Sequence, residues 1–136
     1  MSSMPSLVYQ DPNTYRPGVC NIGPAEITRR RRSGHASLIV SIVLFGALVA
    51  VGAPHWTRLV LVLTASGSAS GYLQAWFHFC AGFGSRGVYN FGPTGTVEQV
   101  ADVDARSRDR RRSLEIGLGS LAIGLIVGVA AALLPV

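Results

Sequence analysis

Three long stretches without a formal charge, residues 36–53, 59–85 and 116–136, are set between polar, arginine-bearing segments along this chain. As helix, each has the roughly 18 residues or more needed to cross about 30 Å of hydrocarbon. The first is only just long enough, about 27 Å at 1.5 Å per residue. Gly52, Ala53, Pro54, His55 and Trp56 then read as a tight turn, with Trp56 suited to the headgroup layer. A second span is expected over residues 57–79. The pattern predicts an all-α integral membrane protein of three transmembrane helices, a helical hairpin plus a third span.

Local signals divide the chain further. Residues 1–22 carry Pro5, Pro12 and Pro17 and no usable periodicity, so they are expected to form a disordered or extended arm. Gly23 and Pro24 mark a helix start, because proline at the first helical position loses no needed donor. Glu26 in that first turn complements the helix dipole. Residues 23–85 therefore read as an interfacial segment running into the hairpin. Residues 86–112 read as a loop followed by a charged helix; the glycine-rich loop signature runs from Gly82 to Gly95, and Thr96 and Gln99 offer the helix a capping box. Asp102 and Arg106, and Asp104 and Arg108, stand at i, i+4 spacing on that helix. No breaker separates it from the third span, residues 113–136, so a single helix could run from Val97 to near Leu134, a continuity that the sequence leaves open.

The middle of the second span is a run of small residues, in which Gly67 and Gly71 have the spacing that lets helix backbones approach closely. In the third span Ser120, Gly124, Gly128 and Ala132 repeat every four residues, and the second span or a second copy is their expected partner. Two such faces on three short helices exceed what one chain is expected to bury.

Charge sets the orientation. All twelve basic residues are arginine, and nine fall in two clusters: Arg29, Arg30, Arg31 and Arg32 before the first span, and Arg106, Arg108, Arg110, Arg111 and Arg112 before the third. Moving such a cluster through a bilayer costs about 2.5–3.5 kcal/mol per arginine even on lenient insertion scales, so both belong inside. The N-terminus is then cytoplasmic and the C-terminus outside, with Arg58 alone in the outer turn. A net charge of +5 and a pI near 10.0 could suggest nucleic acid. The charges are juxtamembrane blocks, however, so anionic lipid headgroups are the expected partners and no nucleic acid is expected. Mean hydropathy of +0.36 also favours the bilayer, and the N-terminus lacks the basic and apolar regions of a secretory signal.

Chemistry-bearing residues are few. Cys20 and Cys80 fall near the cytoplasmic face, where cysteines are normally reduced thiols. They are candidates for redox or persulfide chemistry, with Arg86 and the Arg29 cluster supplying the positive charge a thiolate needs. The alternative is that they are small apolar residues buried without function. His35 and His78 are candidate haem or pigment ligands on adjacent spans, with Tyr72, Trp76, Phe77, Phe79 and Phe83 as an apolar wall. Their alternative is an ordinary aromatic belt. His78 and Cys80 point about 200° apart on a helix and cannot share a metal unless the helix has ended. Glu115 is expected to pair with Arg111 or Arg112. No phosphate loop, HExxH, CxxC or Ser/His/Asp set occurs, so no catalytic residue, metal or cofactor is assigned and no enzyme is expected.

Cys20, Asn21, Ile22 and Gly23, followed by Glu26, Arg29 and Arg30, a span, a tight turn and a second span ending in Phe79 and Cys80, resemble a family of small bacterial inner-membrane domains. These occur alone or fused behind rhodanese sulfurtransferase domains. The likeness covers residues 20–92 and departs from the family's Phe-Cys-Pro ending, where Ala81 replaces the proline. It implies the hairpin and, in some members, sulfur chemistry.

Three functional expectations follow. The first is a multi-pass protein of the bacterial plasma membrane acting by helix packing, as a homo-oligomer or an accessory subunit of a larger complex. The second is thiol-based sulfur handling through Cys20 and Cys80. The third is a haem- or pigment-binding hairpin through His35 and His78.

Overall fold

Gly23 and Pro24 start a helix where the sequence places one, and nothing interrupts it until Gly52. The computed structural model describes residues 14–136. In it α1, Pro24–Ala50, is a single rod of 27 residues, about 40 Å long at 1.5 Å per residue. The expected interfacial segment and first span are thus one continuous helix. A turn and a 3-10 helix, His55–Val60, lead into α2, Leu61–Phe77.

Helix α2 ends two residues before the expected 79. His78 adopts a left-handed conformation with φ 53°, its N–H returning to Ala75 O at 3.4 Å and that of Phe79 to Gln74 O at 3.0 Å. This is a Schellman closure with histidine where glycine is usual. A short helix follows, α3, Ala81–Arg86, inside what the glycine content predicts as loop. Strands β1, Val88–Tyr89, and β2, Glu98–Gln99, then pair antiparallel, with Val88 opposite Gln99 and Tyr89 opposite Glu98. The fold is therefore not purely helical.

The capping box expected at Thr96 does not form. Glu98 and Gln99 are held in β2, and the Tyr89 hydroxyl donates to the Glu98 carboxylate at 2.8 Å. Helix α4, Val103–Leu133, begins instead after Asp102, whose side chain accepts the Ala105 N–H at 3.0 Å. From there α4 runs unbroken for 31 residues, about 46 Å. The two aspartate–arginine pairs expected on its first turns form no salt bridge among the described residues, and the Arg106 Nε donates to Val100 O instead. Glu115 does pair with Arg111 at 3.8 Å and Arg112 at 3.6 Å.

Helix α2 is the centre of the bundle, with α1 and α4 packed against it from different sides. Its Gly67 and Gly71 face α1. A β-carbon at Gly71 would lie 2.6 Å from Gly34 N and 2.8 Å from Arg30 O, and one at Gly67 would lie 3.3 Å from Ser37 Oγ. The α4 stripe faces the other side, where a β-carbon at Gly124 would lie 2.6 Å from Val62 O and would overlap Ser66 Oγ. Gly128 meets Val62 in the same way, while Ser120 is buried and returns its hydroxyl to Ile116 O at 2.7 Å. Both small-residue faces are thus consumed within one chain, which removes the surplus expected from sequence.

The distribution of side chains is the reverse of a water-soluble core. Along α4 the buried positions include Ser113, Ser120, Gly124, Gly128 and Ala131, while Leu114, Leu118, Leu125 and Ile126 are exposed. On α1 only Glu26, Gly34 and Ser41 are buried, and Ile39, Val40, Ile42 and Val43 face outward. In water such contiguous apolar surface drives association; in lipid, small residues between helices and large aliphatics outside are the normal arrangement. Helices α1 and α4 are long and apolar enough to cross a membrane.

Residues 1–13 of the expected arm lie outside the described residues. Residues 14–22 form a turn closed by an Arg16–Cys20 bridge and fixed to α4, rather than an extended tail. Replacing Gly71 or Gly124 by leucine is expected to cost about 1–3 kcal/mol or more through overpacking against backbone. Gly46→Leu, where a β-carbon meets nothing within 4 Å, should be neutral. Unfolding in mild detergent reads the difference, and equal behaviour of all three would contradict this packing.

Candidate functional site

Two features stand apart from the helix packing: a buried polar cluster at the arginine-rich end of the bundle, and an open apolar cleft along its side. The cluster begins at Asn21, fully buried, whose side chain pairs with the Cys80 backbone in both directions. Asn21 Nδ2 donates to Cys80 O at 3.1 Å, and Cys80 N–H donates to Asn21 Oδ1 at 2.6 Å. The Asn21 N–H donates to His78 O, and its carbonyl accepts the Asn90 N–H at 3.0 Å. Asn90 in turn donates to the Glu26 carboxylate at 3.0 Å and to Pro93 O at 2.8 Å. Thus one asparagine joins the arm, the α2 end and the β1 strand, and a second ties them to α1.

Glu26 is fully buried in the first turn of α1. Arg30 Nη2 lies 3.6 Å from its Oε1 and 2.8 Å from Cys80 Sγ, so one guanidinium sits between a carboxylate and a thiol. Arg29 approaches the same oxygen at 3.8 Å. Below them Ile22, Cys80 and Phe83 form an apolar cluster with Ile27 and Val88. Gly23 admits the backbone of Phe91, to which a β-carbon there would approach within 3.0 Å.

Both cysteines are buried thiols outside any disulfide among the described residues. Cys20 donates its S–H to Ile22 O at 3.7 Å. Burial pushes its thiol above the ordinary range, outweighing the opposing Arg16 charge. His35 Nδ1 meets the Tyr72 hydroxyl at 2.6 Å with the rings edge to face, whereas His78 closes α2. No contact joins the two histidines among the described residues. There is also no group of three His, Cys, Asp or Glu among the described residues that could hold a metal ion.

The arginine clusters are not uniform. Arg31, Arg32, Arg110 and Arg111 are exposed, while Arg30 is turned inward and Arg112 is held by Gly18 O at 3.0 Å and the face of Phe77. The arm is anchored beside it. The Tyr15 hydroxyl donates to the buried Asp109 carboxylate at 2.6 Å, and Gly18 N–H donates to the same carboxylate at 2.7 Å.

Arg58, alone in the opposite turn, is only 2% exposed. It donates to Ala131 O and Leu134 O at 3.1 Å each and to Val136 O, and stacks on Phe45. A cation there meets the carbonyl end of the α4 dipole. Its solitary position opposite the clusters was the only sequence signal for this role.

The cleft opens between α1 and α4, with α2 as its floor. It has a volume of about 740 Å³ and is lined by apolar side chains such as Leu38, Ile42, Phe45, Leu73, Ile126 and Val127, with Ser41, Ser68 and Tyr72 the only polar types. From Leu61 to Leu73 it runs about 18 Å at 1.5 Å per residue, within the apolar length of the bundle. Its floor, Ala65, Ser68 and Ala69, is small.

No protein-family model matches this chain, and no curated protein or solved structure matches it either.

Tyr15 holds its proton more tightly folded than unfolded, because burial and the Asp109 carboxylate both oppose tyrosinate. The arm's attachment is therefore intact below the ordinary tyrosine value of 10.0 and is lost as pH rises beyond it toward the higher folded value. Tyrosinate absorbance should show late ionisation from both Tyr15 and Tyr89, the latter held by its hydrogen bond to Glu98, and Tyr15→Phe should remove only the first part; an unchanged titration would contradict the Asp109 contact.

Proposed function

We propose that this chain is a three-span protein of the bacterial plasma membrane that acts without catalysis, as a self-assembling or accessory subunit of a membrane complex. The arm and residues 78–112 lie in the cytoplasm, and Val136 lies outside. Helix α2 is the second of the three spans: its 17 residues are at the short end of the range that crosses hydrocarbon, and the preceding 3-10 helix lengthens the rod. Both arginine clusters fall at the same end of the bundle, which suits exclusion of arginine from the outer face. The resemblance of residues 20–92 to small inner-membrane hairpin domains points the same way.

The open cleft is the observation that carries the reading. A floor of alanine and serine admits another helix backbone closely, and the walls are the aliphatic side chains such a helix would meet. A transmembrane helix of a second copy or of a partner subunit is its occupant. Cleft-filling Ala69→Phe with Ala130→Phe should abolish assembly seen by native mass spectrometry and in-membrane crosslinking, while the fold survives. A reporter placed after Pro135 should be active only outside the cell. A wild-type chain that is monomeric in both assays would overturn the assembly, and a reporter active in the cytosol would overturn the topology.

The Arg30 contact with Cys80 favours a second reading, in which Cys80 carries an anionic sulfur species held by that guanidinium. Cys80 is only 3% exposed, so chemistry there requires the cluster to open. Persulfide labelling of native membranes should mark Cys80 and lose the mark in Cys80→Ala; unlabelled membranes would remove this reading.

A further inference from the structure

Arg86, at the end of α3, and Arg106 and Arg110, on successive turns of α4, converge with Ser85 and Gly87 on a pocket of about 190 Å³. No carboxylate lines it. Among the described residues the ion pairs engage Arg29, Arg30, Arg111 and Arg112, and none of these three. Two of the three guanidiniums are fixed at Nε. Arg86 donates through Nε to Gly82 O at 3.3 Å and lies over Phe83 at 5.4 Å, and Arg106 donates through Nε to Val100 O. Their terminal nitrogens have no hydrogen-bond partner among the described residues and remain available to the pocket.

The pocket is shaped by the fold. Gly87 has φ +70°, and a β-carbon there would lie 3.2 Å from Arg106 Nε, so glycine is what lets the Arg106 side chain lie flat against the backbone. Ser85 gives its own hydroxyl to Ala81 O at 2.9 Å, leaving the arginines as the donors. Three like charges held together without an internal counter-ion repel one another, and an entering anion relieves that repulsion. Guanidinium forks match the tetrahedral oxygens of phosphate in bidentate geometry.

We infer that this pocket binds a phosphate group, either on a lipid headgroup or on a small soluble phosphate ester. Its size, about 190 Å³, admits a phosphate group, and its open side leaves room for the ester to extend outward. Arg110 precedes Ile116, where the apolar run begins, by about 9 Å of helix, within reach of lipid headgroups above a bilayer surface. The lipid source alone rests on the membrane reading above.

The test uses the full chain in mild detergent titrated with inorganic phosphate, and the same chain in neutral-lipid vesicles with and without phosphatidic acid. Arg86→Gln with Arg110→Gln should weaken phosphate binding about tenfold or more. Arg31→Gln with Arg32→Gln, which removes the same charge elsewhere, should weaken it less than about twofold. Binding of free phosphate with that selectivity assigns a soluble ester; the same selectivity seen only with phosphatidic acid assigns a headgroup. Absence of binding in both formats, or equal weakening by the two double variants, overturns the site whatever becomes of the assembly reading. Unchanged unfolding midpoints in the variants show that the fold is intact.

Discussion

Everything in this bundle depends on how closely two neighbours can approach α2. At Gly71 the backbone of α1 lies where a β-carbon would be, and at Gly124 the backbone and Ser66 of α2 do the same for α4. In lipid, which offers no hydrophobic drive for helices to associate, van der Waals contact and a few hydrogen bonds would have to hold such helices together. The buried hydrogen bond from Ser68 Oγ to Gly34 O at 3.0 Å belongs to that contact. Because α2 uses one side for each neighbour, α1 and α4 stay apart elsewhere, and the cleft is the space that this arrangement leaves.

The two ends of the bundle are closed by different means. At the arginine-rich end, buried Asn21, Asn90, Glu26 and Asp109 each satisfy groups from elements distant in sequence. Leaving one buried polar group unpaired costs about 1–3 kcal/mol, so these side chains specify one arrangement of arm, α3 and strands. At the other end Arg58 alone caps the last carbonyls of α4. Several arginines that composition assigns to lipid are thus internal fasteners, while Arg31, Arg32, Arg110 and Arg111 stay exposed.

The residues that carry the resemblance to small inner-membrane domains, Asn21, Ile22, Gly23, Glu26, Arg30 and Cys80, come together in this closure. Hydrogen bonds, an ion pair and apolar packing hold them together there. Cys20 fits the same account as a buried, protonated thiol, while Cys80 differs by its contact with Arg30.

Hydropathy, proline and charge determined the long helices, because each depends on local chemistry: Pro24 starts α1, the apolar runs set the lengths, and the absence of a breaker keeps α4 whole. The small residues at 67, 71, 124 and 128 marked contact faces for the same reason. Which face met which helix was decided only in three dimensions, since a glycine records that something approaches and not what does. Helix α3, the two short strands, the cap at Asp102 and the end of α2 at His78 likewise escaped local rules, because long-range partners overrode the capping box and the glycine signal. The three-arginine pocket and the anchoring role of Arg58 were invisible for a related reason: charges 20 or more than 70 residues apart acquire meaning only when the fold sets them against each other or against a helix end.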